Sequence, residues 1–278
     1  MITDIKGLLE YTLNKIKEFT DIAVIGLSGG ADSTLVATLC SQALGSDNVY
    51  GIHMPSTEID LKTFNSTSRK LSAHLGIVDV IIPICGPIRL IQESVKTNLW
   101  KGAQNHLMND LTKGNMKARI RMTVLYTIAE EINKTINKKV RVIGTDNLNE
   151  NFIGYFTKYG DGGVDINPIG ELFKSEVYQL LDYYILNNII KEEHVNRIPS
   201  AGLWEDQTDE NELGFSYKDM EESIKYYYNN IFYGDDDPKF DSPCYKFVIN
   251  MMKTNSHKNI IPRKFDLRKF CDWIGYDI

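Results

Sequence analysis

Apolar residues along the chain follow two alternating patterns. From Ile5 to Phe19 the residues Ile5, Leu8, Leu9, Leu13, Ile16 and Phe19 recur every three or four positions, which predicts an amphipathic helix. Residues 22–27 form a nearly continuous apolar run, expected of a strand buried on both faces of a parallel sheet. Residues 33–39 then open a second helix that ends near Gly45. Further strands are predicted at 49–54, closed by Pro55 and Ser56, and at 78–84, with a helix over 63–75 between them. Gly114 and Asn115 precede a long helix whose stripe is Ile120, Val124, Leu125, Ile128 and Ile132, and Val140 to Ile143 is the next strand. Strand and helix in alternation, joined by right-handed crossovers, predict an α/β fold: a doubly wound, Rossmann-like parallel sheet with helices on both faces. Ligands of such a sheet sit outside the carboxyl ends of its strands, where residues 26–33, Met54 and 144–150 fall.

Past Glu150 the pattern changes to a stretch of turn formers, 155–168, and then to helices at about 174–187 and 217–228. A polar segment around Asp235, Asp236, Asp237 and Pro238 reads as a surface loop. No Pro- or Ser-rich linker intervenes, so residues 1–278 are expected to form one domain with a helical extension from about residue 170. A chain of 278 residues with 42% hydrophobic content is long enough for one large core. Its formal charge of -6 gives no global attraction to nucleic acid. The four cysteines, Cys40, Cys85, Cys244 and Cys271, lack paired spacing, so free thiols in a reducing compartment are expected rather than a zinc site or a disulfide framework. The N-terminus lacks the apolar run of a signal peptide, and no stretch approaches the roughly 20 apolar residues of a membrane helix. The cytoplasm is the expected location.

Candidate chemistry starts with Gly26, Leu27, Ser28, Gly29, Gly30, Ala31, Asp32 and Ser33. A glycine-rich turn between a buried strand and a helix presents backbone N–H groups to an anion, and the two serines add hydroxyl donors. The Lys that follows the last glycine of the common P-loop is absent, and the glycine spacing does not match the dinucleotide fingerprint. Asp32 would repel phosphate unless a divalent cation lies between them, so Mg²⁺ is the expected companion. The alternative for Asp32 is a simple helix N-cap.

Ser28 to Ser33 resembles the pyrophosphate loop of the N-type ATP pyrophosphatases, and the later motifs resemble NAD synthetases within that group. These motifs are Gly144, Thr145 and Asp146, then Glu150, then the run from Gly154 to Pro168. Residues 114–122, 199–204 with 207–210, and His257 with Lys258 are similar to the same family in the same chain order. The resemblance implies an adenine nucleotide alpha hydrolase-like fold. It also implies amidation of deamido-NAD by ammonia through an adenylated intermediate, with release of AMP and pyrophosphate. By the same resemblance, Asp32 and Glu150 hold Mg²⁺, while the 26–33 loop, Thr145, Lys174 and Ser200 contact ATP. Arg119, Lys158, Asp165, His257 and Lys258 would contact deamido-NAD, Asp32 and Lys174 would act in catalysis, and the enzyme would be a homodimer.

By their residues alone, Glu150 could be an ordinary helix-start carboxylate, Lys174 a solvated lysine and Arg119 part of a polar helix face. Tyr155, Phe156, Tyr159 and Trp204 could stack on a ring or pack in a core. Residues 226–253, with Cys244, match nothing in the family. Glutamine-using relatives need a hydrolase domain and a nucleophilic Cys; neither is recognisable, so free ammonia is the expected donor. The competing functions are another adenylating enzyme of the GMP synthetase or tRNA-modifying kind, and an ATP-sensing binding protein, which would have no use for Glu150, Lys158 and Lys174.

Overall fold

The computed structural model describes residues 1–57, 67–99, 108–195, 209–233 and 242–260. Four parallel strands, β1 (Ile22–Gly26), β2 (Val49–His53), β3 (Val78–Ile81) and β4 (Val140–Ile143), form one sheet in the order β3-β2-β1-β4. The chain winds outward from β1 in one direction and returns to its other side with β4, so the topological switch lies between β1 and β4. In an open sheet of this kind the two loops leaving neighbouring strands diverge there and leave a crevice.

Both faces of the sheet are covered. Ala23 and Ile25 of β1 point into a core with α1 (Ile5–Phe19), α2 (Ala31–Leu44) and α7 (Lys174–Leu186). The alternate residues Ile22 and Val24 pack against Leu125 and Ala129 of α5 (Asp110–Ile136). This two-sided burial is why β1 reads as a continuous rather than an alternating apolar run. Helices α3 (Thr67–Leu75) and α4 (Cys85–Leu99) complete the first half.

A second apolar cluster lies in the later half. It joins Ile153 of α6 (Leu148–Ile153), Leu213 of α8 (Asp209–Leu213), Tyr217, Met220 and Ile224 of α9 (Tyr217–Tyr233), and Cys244 and Val248 of α10 (Pro243–Asn255). Cys244 is therefore a core thiol, buried and free as Cys40 is, while Cys85 is part-buried and Cys271 lies outside the described residues.

One sequence expectation needs correction. Gly114 and Asn115 do not precede the long helix but lie inside it: Asn109 is the N-cap, its side chain accepting from Thr112 N at 2.8 Å. That capping bond starts the helix at Asp110, ten residues before Ile120, the first residue of its apolar stripe. The predicted helix at 63–75 begins, within the described residues, at Thr67. Among the described residues no helix is long and apolar enough to cross a membrane.

Candidate active site

The loop leaving β1 turns sharply at Gly29, whose φ of 82° suits glycine, and closes on itself through its serines. Gly30 N donates to Ser28 Oγ at 3.1 Å, Ser33 Oγ donates to Gly30 O at 3.1 Å, and the two hydroxyls lie 3.1 Å apart. Gly30 is the N-cap of α2 and has no side-chain capping bond, so Asp32 in the first turn is not a cap. The helix thus starts beneath the turn with its positive end toward the crevice.

Asp32 has other partners. Its Oδ2 forms an ion pair with Lys174 Nζ, and its Oδ1 accepts from Asn147 Nδ2 at 3.2 Å. Lys174 is the first residue of α7 and is 4% exposed, so the solvated-lysine reading fails. Glu150 Oε1 lies 3.8 Å from the same ammonium. Glu150 is also the third residue of α6 and forms a capping box with Asn147: Asn147 N donates to Glu150 Oε2 and Glu150 N donates to Asn147 Oδ1, both at 3.2 Å. The bland role and the cluster role coincide in one side chain, because the capping box aims the carboxylate across the switch point.

The electrostatics follow from this packing. Burial, and then the charge of Asp32, push the Glu150 carboxyl up to about 7. Burial alone would lower Lys174, but Asp32 and Glu150 more than offset it and hold the ammonium above the ordinary lysine value. Asp146, on the same β4 loop, is raised well above an ordinary carboxyl, chiefly by burial and then by Asp161 and Glu150. Lys174 is therefore the cation that holds two crowded carboxylates together.

Three supporting residues were not singled out from the sequence. Asn147 bridges Asp32 and Glu150; Asn149 Oδ1 accepts from Lys174 N at 3.0 Å; and the Tyr217 ring lies 5.0 Å from Lys174 Nζ. Their only signal was proximity to Glu150 for the asparagines, and for Tyr217 its place at a helix start.

A cleft of about 460 Å³ opens beside the cluster, lined by Asp146, Phe156, Lys158, Tyr159, Asp165 and Lys258 among others. Its floor is the 154–168 segment, whose glycines allow close approach to α5: a Cβ on Gly160 would meet that of Ala118 at 2.9 Å. Asp165 lines the cleft while its oxygens accept from Val142 N at 2.7 Å and Tyr126 OH at 3.3 Å. Arg119 reaches the rim, donating from Nε to Lys158 O at 3.3 Å. Lys158 Nζ donates to the carbonyls of His257 and, at 3.3 Å, Ile260, and Lys258 Nζ donates to Gly154 O at 2.7 Å and Phe156 O at 2.9 Å. His257 contributes its carbonyl to this strap, with its ring exposed and Nδ1 3.1 Å from Thr254 O. Thr145 is half-buried on the turn after β4. Ser200 and Trp204 lie outside the described residues. Among the described residues no group of three or more His, Cys, Asp and Glu gathers as a metal cage.

The geometry joins a glycine-rich anion loop, a buried lysine between two carboxylates and an adjoining cleft. The family model described as NAD synthase matches residues 1–262. The chain belongs to the NAD synthase family. A relative from Methanosarcina mazei, named NH(3)-dependent NAD(+) synthetase, is 43% identical over 202 residues, which cover 73% of this chain and 72% of the relative. The solved NH3-dependent NAD synthetase from Campylobacter jejuni is 29% identical with a TM-score of 0.67, covering 95% of this chain and all (100%) of its own. An NMN synthetase structure from Francisella tularensis is 26% identical with a TM-score of 0.74, covering 96% of this chain and 100% of its own. The doubly wound fold expected from the sequence is thus that of the family.

Proposed function

We propose that this chain amidates deamido-NAD to NAD with ammonia, activating the nicotinate carboxylate as an acyl-adenylate and releasing AMP and pyrophosphate. The single observation that carries the reading is the meeting of Asp32, Lys174 and Glu150 at the carboxyl ends of β1 and β4, beside the phosphate loop. Backbone N–H groups of residues 28–33 and the N-terminus of α2 receive the pyrophosphate being expelled. Lys174, already charged and buried, offsets negative charge as the carboxylate approaches the α-phosphate. Asp32 and Glu150 fit a Mg²⁺ ion: both offer hard carboxylate oxygens, and each side chain is 16% exposed toward the crevice. When bound, Mg²⁺ would neutralise phosphate charge there. Thr145 and Ser200 are proposed as further ATP contacts.

The cleft is proposed to hold the dinucleotide, with Arg119, Lys158, His257 and Lys258 around its pyrophosphate and Asp165 at a ribose. Free ammonia as donor is supported by the names of the relatives above. A homodimer is supported by the exposed apolar side chains of Leu90, Ile91 and Leu99 on α4 and Leu111 on α5. Free Cys40, Cys85 and Cys244 support a cytoplasmic setting.

A second reading rests on the likeness to the NMN synthetase structure: the same amidation carried out on the acid mononucleotide. Purified protein given ATP, Mg²⁺ and ammonium, with deamido-NAD or the acid mononucleotide in parallel, separates the two. NAD formed with the higher kcat/KM supports the dinucleotide; a higher kcat/KM for the mononucleotide overturns it. AMP and pyrophosphate without either amide would overturn both.

A further inference from the structure

Tyr217 touches both Glu150 and Lys174 of the cluster, and no role above uses its hydroxyl. It is 7% exposed, and its OH lies 3.1 Å from Glu150 Oε1 and 2.9 Å from Asp209 Oδ2. Its backbone is fixed at both ends: Tyr217 N donates to Glu210 Oε1 at 3.0 Å, and Tyr217 O accepts from Asn149 Nδ2 at 3.4 Å. The same Asn149 accepts from Lys174 N, and the Tyr217 ring faces the Lys174 ammonium at 5.0 Å. One residue therefore ties α6, α7 and α8 to the start of α9.

A phenol has a single proton to donate, and here two carboxylates flank it. It can serve Glu150 or Asp209, not both at once. Asp209 is 4% exposed and accepts from the hydroxyl independently of Glu150. When Glu150 turns toward a ligand in the crevice, Asp209 still accepts from the hydroxyl, so no buried O–H is left without a partner. A lone Tyr–Glu bond would instead oppose any movement of Glu150. The aromatic face also gives Lys174 a weak, non-competing contact that leaves its N–H groups available.

We infer that Tyr217 and Asp209 are positioning residues for the adenylation step, with Tyr217 orienting Glu150 and Lys174 and Asp209 holding the Tyr217 hydroxyl when Glu150 is released. This rests on the adenylation reading above. The hydroxyl and its two partners come from segments 67 and 8 residues apart in sequence, and neither Tyr217 nor Asp209 lines the neighbouring cleft.

The test is the initial rate of pyrophosphate release in the absence of ammonia, with ATP and deamido-NAD each varied up to saturation, for wild type, Tyr217→Phe, Asp209→Asn, Asp209→Leu and the Tyr217→Phe/Asp209→Leu double variant. Tyr217→Phe keeps the ring and loses only the hydroxyl; it is expected to lower kcat by about 10- to 100-fold, the size of a lost hydrogen bond to a charged group, with both KM values changed by less than about threefold. Asp209→Asn, whose Oδ1 can still accept, should retain most of the rate, whereas Asp209→Leu should lose it. The double variant should be no slower than the slower single one, because both act through one hydroxyl. Thermal melting of the ligand-free variants separates positioning from folding: Tyr217→Phe should melt within about 4 °C of wild type. Wild-type kcat in Tyr217→Phe, or strictly multiplicative losses in the double variant, would overturn the inference. If wild type itself releases no pyrophosphate, the adenylation reading fails instead, and the melting data still report whether Tyr217 is merely structural.

Discussion

The carboxylate cluster and the wall of the adjoining cleft both depend on lysines, but they use them in opposite ways. In the cluster the Lys174 ammonium is held by side-chain charges, Asp32 and Glu150, from the two loops that flank the topological switch. In the cleft, Lys158 and Lys258 direct their ammonium groups to backbone carbonyls, each clasping the segment that carries the other. Asn255 Nδ2 and Asn259 Nδ2 reinforce the strap, donating to Ile153 O at 2.9 Å and Asn151 O at 3.3 Å. The first arrangement stores charge and the second sets geometry. Removing a lysine from the cluster should therefore change chemistry and stability together, while removing one from the strap should change mainly the fit of the substrate.

The largest effect is expected from Lys174→Met. It leaves Asp32 and Glu150 facing each other without their cation, so kcat should fall on the order of 10³-fold, as for loss of a preorganised electrostatic group. The fold should lose about 3 kcal/mol, as when one partner of a buried ion pair is deleted. Urea unfolding and pyrophosphate release measure the two. A variant of wild-type stability would show that the carboxylates are not held by the lysine.

Glu150→Gln sharpens the same contrast through pH. Because folding raises this carboxyl from 4.5 to about 7, the folded ligand-free protein binds more protons than the unfolded chain between those values. Stability from this group is therefore complete below pH 4.5 and is lost as pH rises toward 7. The Gln variant lacks that loss. Without metal or nucleotide it should match wild type near pH 4.5 and exceed it at pH 8 by roughly 1–3 kcal/mol, while losing activity. Equal stabilities across the range would contradict the burial of Glu150 and its crowding by Asp32.

The smallest effect belongs to the strap. Lys258→Met unties the carbonyls of Gly154 and Phe156, which solvent can partly satisfy, and should raise the KM for the dinucleotide about tenfold with the KM for ATP nearly unchanged. An equal rise in both would place the strap in the cluster's service rather than the cleft's.

The sheet and the β1 loop were readable because both obey short-range rules: a strand buried on two faces is apolar without interruption, and a glycine-rich turn must follow it for a helix to start beneath an anion. The 154–168 motif identified the family, but not how its lysine is used, because the Lys158 partners lie 99 and 102 residues away. Lys174 illustrates the limit most clearly. Periodicity makes it a helix start and lysine statistics make it exposed, yet the helix N-terminus is placed against the crevice by contacts between α7 and α2, and Asp32 lies 142 residues earlier. Tyr217 is invisible for the same reason, since aromatic residues at helix starts are usually core and this one is core on its ring and polar at its tip. The N-cap at Asn109 shows a different failure: a capping bond outside the apolar stripe lengthened α5 beyond what hydrophobic spacing reveals.

The central claim is that the cluster serves attack of a carboxylate on the α-phosphate of ATP, and an isotope experiment addresses it most directly. Deamido-NAD carrying ¹⁸O in its nicotinate carboxylate would be turned over with ATP, Mg²⁺ and ammonium, and the products analysed by mass spectrometry. The account predicts one ¹⁸O atom in the AMP formed and none in pyrophosphate, with NAD in equal amount. Label in inorganic phosphate together with ADP, or unlabelled AMP, would contradict it.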